Sequence, residues 1–196
     1  AYQISLGFAK DRLQSRSLSG PKEANKPADP IIVHPDVRRN LLRQKVMIEG
    51  CRALAYFTGL HADIAHSHED AGVRQQADDL VQLLTPVVKS FLTDEGFNCA
   101  NDGLQVLGGS GYTEDWGIEQ LVRDSRINLI FEGTNEILRL YVSLSGMKDA
   151  GEYLKGISKS ATNLFNDPIK GFGVLSGYAS KRLTEMTSIG RERLSF

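Results

Sequence analysis

Two long apolar seams with helical spacing constrain the fold more than any other feature of the chain. The first seam has steps of three or four residues and runs through Leu42, Val46, Gly50, Ala53, Phe57, Leu60 and Ile64. The second has the same steps and runs through Val73, Ala77, Leu80, Leu84, Val87 and Phe91. Side chains that repeat about every 3.5 residues keep facing one partner, so the seams predict two long antiparallel helices of a bundle.

The rest of the sequence predicts shorter helices and no strand. Apolar residues recur at helical spacing from Tyr2 onward, and a proline-rich segment over residues 17–35 predicts an extended connection. Further helices are predicted over residues 116–130 and from residue 134 to about 145. We therefore expect an all-α fold, with an antiparallel helical bundle over residues 1–148 and a helical extension over residues 149–196.

Charge and cysteine content restrict the partners and the compartment. The chain has 196 residues with 23 Lys and Arg against 24 Asp and Glu, so no global field attracts nucleic acid or an anionic membrane. Cys51 and Cys99 lack the spacing of a CxxC motif, and we expect two buried free thiols in a reducing compartment, the cytoplasm. No apolar run approaches the ~20 residues that span a bilayer.

The chain termini suggest two further expectations. The first helix starts without a capping residue, so we expect the chain to be the C-terminal part of a longer protein. The final helix, around Phe172 to Met186, is amphipathic, and we expect it to dock on protein rather than on a membrane surface.

His61, His66 and His68 lack the ligand spacing of a metal site, and we expect no bound metal.

A carboxylate precedes a helix start in the run Phe131-Glu132-Gly133-Thr134. Thr134 is a candidate N-cap residue, and the apolar residues from Ile137 onward supply one face of the following helix. Glu132 could therefore act as a proton-abstracting base at a ligand mouth. The alternative is a glutamate that only gains from the helix dipole.

Glycines close the apolar helical stretch that ends at Leu107, in the run Gln105-Val106-Leu107-Gly108-Gly109. Glycine permits a left-handed exit from a helix, and it also lets backbone approach a phosphate or a flat ring closely. The order helix, then glycines, is the reverse of the dinucleotide-binding fingerprint. On its own the run is therefore also consistent with an ordinary helix C-cap.

Together, these motifs resemble those of the acyl-CoA dehydrogenase family, in its C-terminal helical domain. The glycine run, an acidic-aromatic turn, the Arg123-Asp124 pair and the Glu132-Gly133-Thr134 motif occur in the family's order and spacing. The first hundred residues resemble large members related to 3-methylmercaptopropionyl-CoA dehydrogenase. The part after Glu132 is more similar to the very-long-chain members, which carry a C-terminal extension.

The resemblance implies an FAD-dependent introduction of an α,β double bond into an acyl-CoA thioester, with Glu132 as the base that removes the α-proton. It also implies contacts to FAD from five residues, namely Arg12, Gln105, Gly109, Thr134 and Glu136. A guanidinium such as that of Arg12 suits the FAD pyrophosphate. Ser15 departs from the pattern, because shorter family members have phenylalanine there.

The family resemblance also implies partners and leaves two alternatives. We expect a homo-oligomer, dimer or tetramer, with an electron-transferring flavoprotein as electron acceptor. One alternative is a non-catalytic helical oligomerisation module, and the other is an acyl-CoA oxidase, which passes electrons to oxygen. Because the family places further domains ahead of this one, we expect no turnover from these 196 residues alone.

Overall fold

The computed structural model describes residues 1–147 together with residues 151 and 155. Its helices are α1 (Tyr2–Asp11), α2 (Pro35–Ser67), α3 (Ala71–Leu107) and α4 (Ile118–Ile127). A fifth helix, α5, begins at residue 135 and is described to residue 147. Short 3₁₀ turns occupy Ile31–Val33, Gly108–Tyr112 and Glu114–Trp116. The described residues contain no strand beyond one isolated bridge between Leu13 and Pro30, so the all-α prediction is confirmed.

The two long helices pack along each other, as predicted, but α2 uses a different face from the one expected. Leu41 and Gln44 are the buried residues of α2, with exposed fractions of 5% and 0%. Leu42 and Val46 of the predicted seam are 63% and 54% exposed. Neighbouring positions on a helix differ by about 100°, so a stripe displaced by one residue points away from the partner. The predicted contact face of α2 was wrong.

A second apolar stripe therefore remains on the outer face of α2. Its members are at least 45% exposed, and they include Leu42, Val46, Phe57 and Leu60. We call this set the outer stripe of α2. Large exposed apolar surfaces of this kind are typical of interaction faces.

The segment between α1 and α2 is folded around one buried carboxylate. Asp29 accepts hydrogen bonds from the backbone N–H groups of Ser17, Lys22 and Glu23, at 2.8–2.9 Å. The guanidinium of Arg16 is 3.3 Å away. The Ser17 N–H and the other donors lower the pKa of Asp29 to about 2, against the opposing effect of burial. Asp29 thus holds a connection made of turns and bends, which is less extended than the sequence predicted.

The C-terminal end of α3 has the predicted glycine exit. Gly108 follows Leu107 with a φ of 58°, a left-handed value that favours glycine. Gly111 is pressed against α3, because a Cβ atom on it would lie 2.8 Å from the Leu104 carbonyl oxygen. The predicted helix over 116–130 is shorter than expected, since Gly117 with a φ of 62° delays its start to Ile118.

Residues Ala1–Ser143 form one compact unit. The domain boundary predicted at residue 148 stays a prediction, because nearly all of the expected extension over 149–196 lies outside the described residues. The predicted amphipathic helix around Phe172 to Met186 lies there too. None of the described helices combines the length and the apolar run that crossing a bilayer requires.

Candidate functional site

Glu132 lies in a turn between α4 and α5 with an unusual backbone conformation. Its φ is 57°, and Ser15 is the other non-glycine residue with a positive φ in the described part of the chain. The next residue, Gly133, also has a positive φ, of 88°. A left-handed conformation is unfavourable for any residue with a Cβ atom, and such residues concentrate at functional sites. The Glu132 side chain is exposed.

The turn is closed at the start of α5. The backbone N–H of Asn135 donates to the carbonyl of Leu129 at 3.1 Å. The Thr134 hydroxyl oxygen accepts from the N–H of Ile137 at 3.4 Å, so the predicted N-cap is confirmed. Hydrogen bonds from the Glu136 N–H and from the Thr134 hydroxyl lower the pKa of the Glu136 carboxyl. Glu132, Thr134 and Glu136 therefore lie on one short turn and its helix start.

A buried amide attaches this turn to α3. Asn135 is 1% exposed, and its Nδ2 lies 2.9 Å from Asp94 Oδ1 and 3.2 Å from the Ser90 carbonyl. Its Oδ1 accepts from Lys89 Nζ at 2.9 Å, and Lys89 also donates to the Gly133 carbonyl at 2.6 Å. These four residues form the group that we call the α3 clamp: Lys89, Ser90, Asp94 and Asn135. It is continued by an ion pair between Asp94 and Arg139 of α5.

Sequence reasoning did not identify the α3 clamp. Asn135 directly follows the Glu132-Gly133-Thr134 motif, but nothing in the local sequence singles it out, and nothing in the local pattern of α3 singles out Lys89 or Asp94. The contacts join residues 41 to 46 positions apart, so no periodicity within one helix could indicate them.

The other three predicted site residues line one open cavity of about 740 Å³. Arg12 borders it from the end of α1, Gln105 from the last turn of α3, and Gly109 from the turn that follows. No described atom lies within 4 Å of where a Cβ on Gly109 would be, so the glycine presents bare backbone to open space. Arg12 forms none of the ion pairs in the described residues.

Ser15 also lines this cavity, and Trp116 lines a separate pocket that shares Phe8 and Arg12 with it. Ser15, the position that departs from the family pattern, lines the cavity with a φ of 59°. Trp116 packs edge-on against Phe8, with ring centroids 5.1 Å apart, beside Arg12. The six predicted site residues thus form two groups, because Glu132, Thr134 and Glu136 do not line the cavity of Arg12, Gln105 and Gly109.

The helical-bundle architecture is also present in solved structures. A Mycobacterium smegmatis protein provisionally assigned as an acyl-CoA dehydrogenase superposes with a TM-score of 0.56 over 74% of this chain and 32% of its own. The two sequences are 19% identical over this match, so the likeness concerns the fold alone.

The sequence match then gives the family. Residues 14–145 match the model described as the acyl-CoA dehydrogenase C-terminal domain, and the chain belongs to the acyl-CoA dehydrogenase family. It is 41% identical to 3-methylmercaptopropionyl-CoA dehydrogenase of Ruegeria pomeroyi, over 84% of this chain. It is 35% identical to the mitochondrial very long-chain specific acyl-CoA dehydrogenase of Rattus norvegicus, over 70% of this chain. These matches span 28% and 20% of the lengths of the two relatives. The family resemblance read from the sequence is confirmed.

Proposed function

We propose that the chain is the C-terminal helical domain of an FAD-dependent acyl-CoA dehydrogenase, with Glu132 as its catalytic base. The observation that carries the proposal is the conformation of Glu132, which is left-handed and sits in a turn tied to α3 by Lys89 and Asn135. An unfavourable backbone conformation persists only where surrounding contacts enforce it. A carboxylate displayed in this way is suited to meet a substrate that approaches from outside the bundle.

The cavity of Arg12, Gln105 and Gly109 fits a cofactor that carries a pyrophosphate. The Arg12 guanidinium forms no ion pair within the described residues, and its forked donors match phosphate oxygens. Gly109 leaves room for a flat ring or a phosphate to approach the backbone. We propose that these residues hold part of FAD and that Thr134 and Glu136 contact FAD from the start of α5. FAD, when bound, supplies the acceptor for the hydride that leaves the substrate β-carbon.

In the proposed reaction the Glu132 carboxylate removes the α-proton of an acyl-CoA thioester. The α3 clamp holds the turn, so the Glu132 carboxylate approaches the α-carbon of the substrate from a fixed direction. We further propose that the 196 residues alone do not turn over substrate, because they supply the base and only part of the flavin site. Stoichiometric flavin copurifying with this chain would contradict that expectation.

Replacing Glu132 with Gln tests the assignment, because the amide keeps the shape and cannot accept the proton. In the complete flavoprotein, we expect anaerobic flavin bleaching by acyl-CoA to slow by about 10³-fold or more. Glu49→Gln is the matched control, since Glu49 is an exposed glutamate that pairs with Lys45 on α2. Near-normal bleaching by Glu132→Gln would end the proposal.

The outer stripe of α2 favours one alternative, a helical oligomerisation module in which Glu132 is not catalytic. Assembly through this stripe is also compatible with the enzyme, for which we propose a dimer or tetramer. Light scattering reports the assembly, and Glu132→Gln distinguishes the two functions.

We propose an electron-transferring flavoprotein as electron acceptor for the reduced flavin. Faster reoxidation of the flavin by oxygen than by that flavoprotein would instead indicate an oxidase.

A further inference from the structure

We propose that Lys89 is a positioning residue that fixes the direction of the Glu132 carboxylate from α3. This inference rests on the proposed function of Glu132. Lys89 lies 44 residues before Gly133 in the sequence, on a different helix from those that flank the turn. Its side chain is partly buried, and its ammonium reaches the turn directly.

The two hydrogen bonds of Lys89 go to the two residues that flank Thr134 in the sequence, Gly133 and Asn135. Its Nζ donates to the Gly133 carbonyl at 2.6 Å and to Asn135 Oδ1 at 2.9 Å. The first bond fixes the carbonyl of the residue that directly follows Glu132. The second bond fixes the side chain of Asn135, the residue whose backbone N–H closes the turn by donating to the Leu129 carbonyl. Lys89 therefore constrains both the peptide next to the base and the start of α5.

The conformation of the turn explains why such a constraint is needed. Glu132 and Gly133 have φ values of 57° and 88°, and the left-handed region is unfavourable for Glu132. Without its outside contacts the turn would relax toward right-handed or extended conformations. The Glu132 side chain would then point in another direction, although the bundle around it could stay folded.

Lys89 is linked to a carboxylate and to α5 through the same group of residues. The Asn135 amide lies between Lys89 and the Asp94 carboxylate, since its Oδ1 accepts from Lys89 and its Nδ2 donates to Asp94. Asp94 also pairs with Arg139 on α5. The ammonium therefore reaches a carboxylate only through this amide, since the ion pair of Asp94 is with Arg139. A side chain without a donor at position 89, such as methionine, would leave the Gly133 carbonyl without this hydrogen bond.

The test is Lys89→Met in the complete flavoprotein, followed by anaerobic stopped-flow reduction with acyl-CoA. We expect the limiting rate of flavin reduction to fall by about 10- to 100-fold, because small misplacements of a catalytic group have effects of that size. The dissociation constant for acyl-CoA and the FAD content should change by less than about threefold. Lys89→Arg keeps a cationic donor and should recover part of the rate. Lys45→Met, at an exposed lysine of α2, is the matched control and should behave as wild type.

Two comparisons keep the outcomes distinct. If Glu132→Gln reduces flavin normally, the proposed function fails whatever Lys89 does. If Glu132→Gln is inactive while Lys89→Met retains a wild-type reduction rate, only the role of Lys89 is overturned. A parallel loss of rate, FAD and acyl-CoA binding in Lys89→Met would also overturn positioning of the base, because it indicates a disturbance that extends beyond the Glu132 carboxylate.

A measurement on the 196-residue chain supports the kinetic test. In Lys89→Met, amide hydrogen exchange should speed up at residues 133–137 and stay unchanged along α2. Unchanged exchange at residues 133–137 would contradict the proposal. Should Lys89→Met fail to fold, Lys89→Gln, whose amide keeps one donor, is judged by the same rate and exchange criteria.

Discussion

Removing the Asn135 side chain should cost the described unit several hydrogen bonds at once. It is 1% exposed and lies between Lys89 and Asp94, at 2.9 Å from each. Asn135→Ala removes the amide while keeping the helix start, because the Thr134 cap is unaffected. The lysine, the aspartate and the Ser90 carbonyl then lose their shared partner.

The magnitude follows from the kinds of bond that are lost. Hydrogen bonds to charged groups contribute about 1.5 kcal/mol or more each, and a neutral one contributes about 1 kcal/mol. Two bonds to charged groups and two neutral ones, to the Ser90 carbonyl and the Thr93 hydroxyl, therefore sum to about 5 kcal/mol. Lys89 and Asp94 are only partly buried and regain some water in the variant. We expect the free energy of unfolding to fall by about 3 kcal/mol.

Urea unfolding of the 196-residue chain, followed by far-UV circular dichroism, measures this loss. The midpoint should decrease while the dependence of the free energy on urea concentration stays the same, as for a change in stability alone. Asn101→Ala, at an exposed position of α3, is the control and should change stability by less than about 0.5 kcal/mol. A loss below about 1 kcal/mol in Asn135→Ala would refute the argument that this amide joins the turn to α3.

Two further predictions concern the glycine turn and Asp29. Gly111→Ala places a Cβ 2.8 Å from the Leu104 carbonyl and should destabilise by about 1–3 kcal/mol, whereas Gly109→Ala enters open space and should have little effect on urea unfolding. Equal losses would contradict this packing. The lowered pKa of Asp29 means that its contribution to stability is present above pH 3.8 and is lost as pH falls through about 2. Asp29→Asn should therefore differ from wild type in urea midpoint at pH 7 more than at pH 2, and a constant difference would exclude this role.

Local signals in the sequence predicted the ends of several elements well. Gly108 ends α3 and Thr134 caps α5 where the sequence indicated, because both effects depend on the residue itself and its near neighbours. The face of α2 that contacts α3 could not be predicted in the same way. Apolar residues occupy more than one side of this helix, and the partner decides which side is buried.

The candidate site shows the same division between local and distant information. Glu132 was recognisable from the motif that surrounds it. Its left-handed conformation and its attachment to Lys89 were not, since they depend on a helix that begins 61 positions earlier in the sequence, at Ala71. The roles in catalysis and FAD binding remain predictions for Glu132, Arg12, Gln105, Gly109, Thr134 and Glu136.

The α3 clamp also bears on when this chain acquires its turn during folding. Its contacts connect positions 41 to 46 residues apart, so the intervening chain must be ordered before they can form. A newly made or partly unfolded chain consequently has no oriented carboxylate at residue 132. The turn therefore reaches its native geometry only once the bundle has folded, and a bundle that begins to unfold would lose that geometry early.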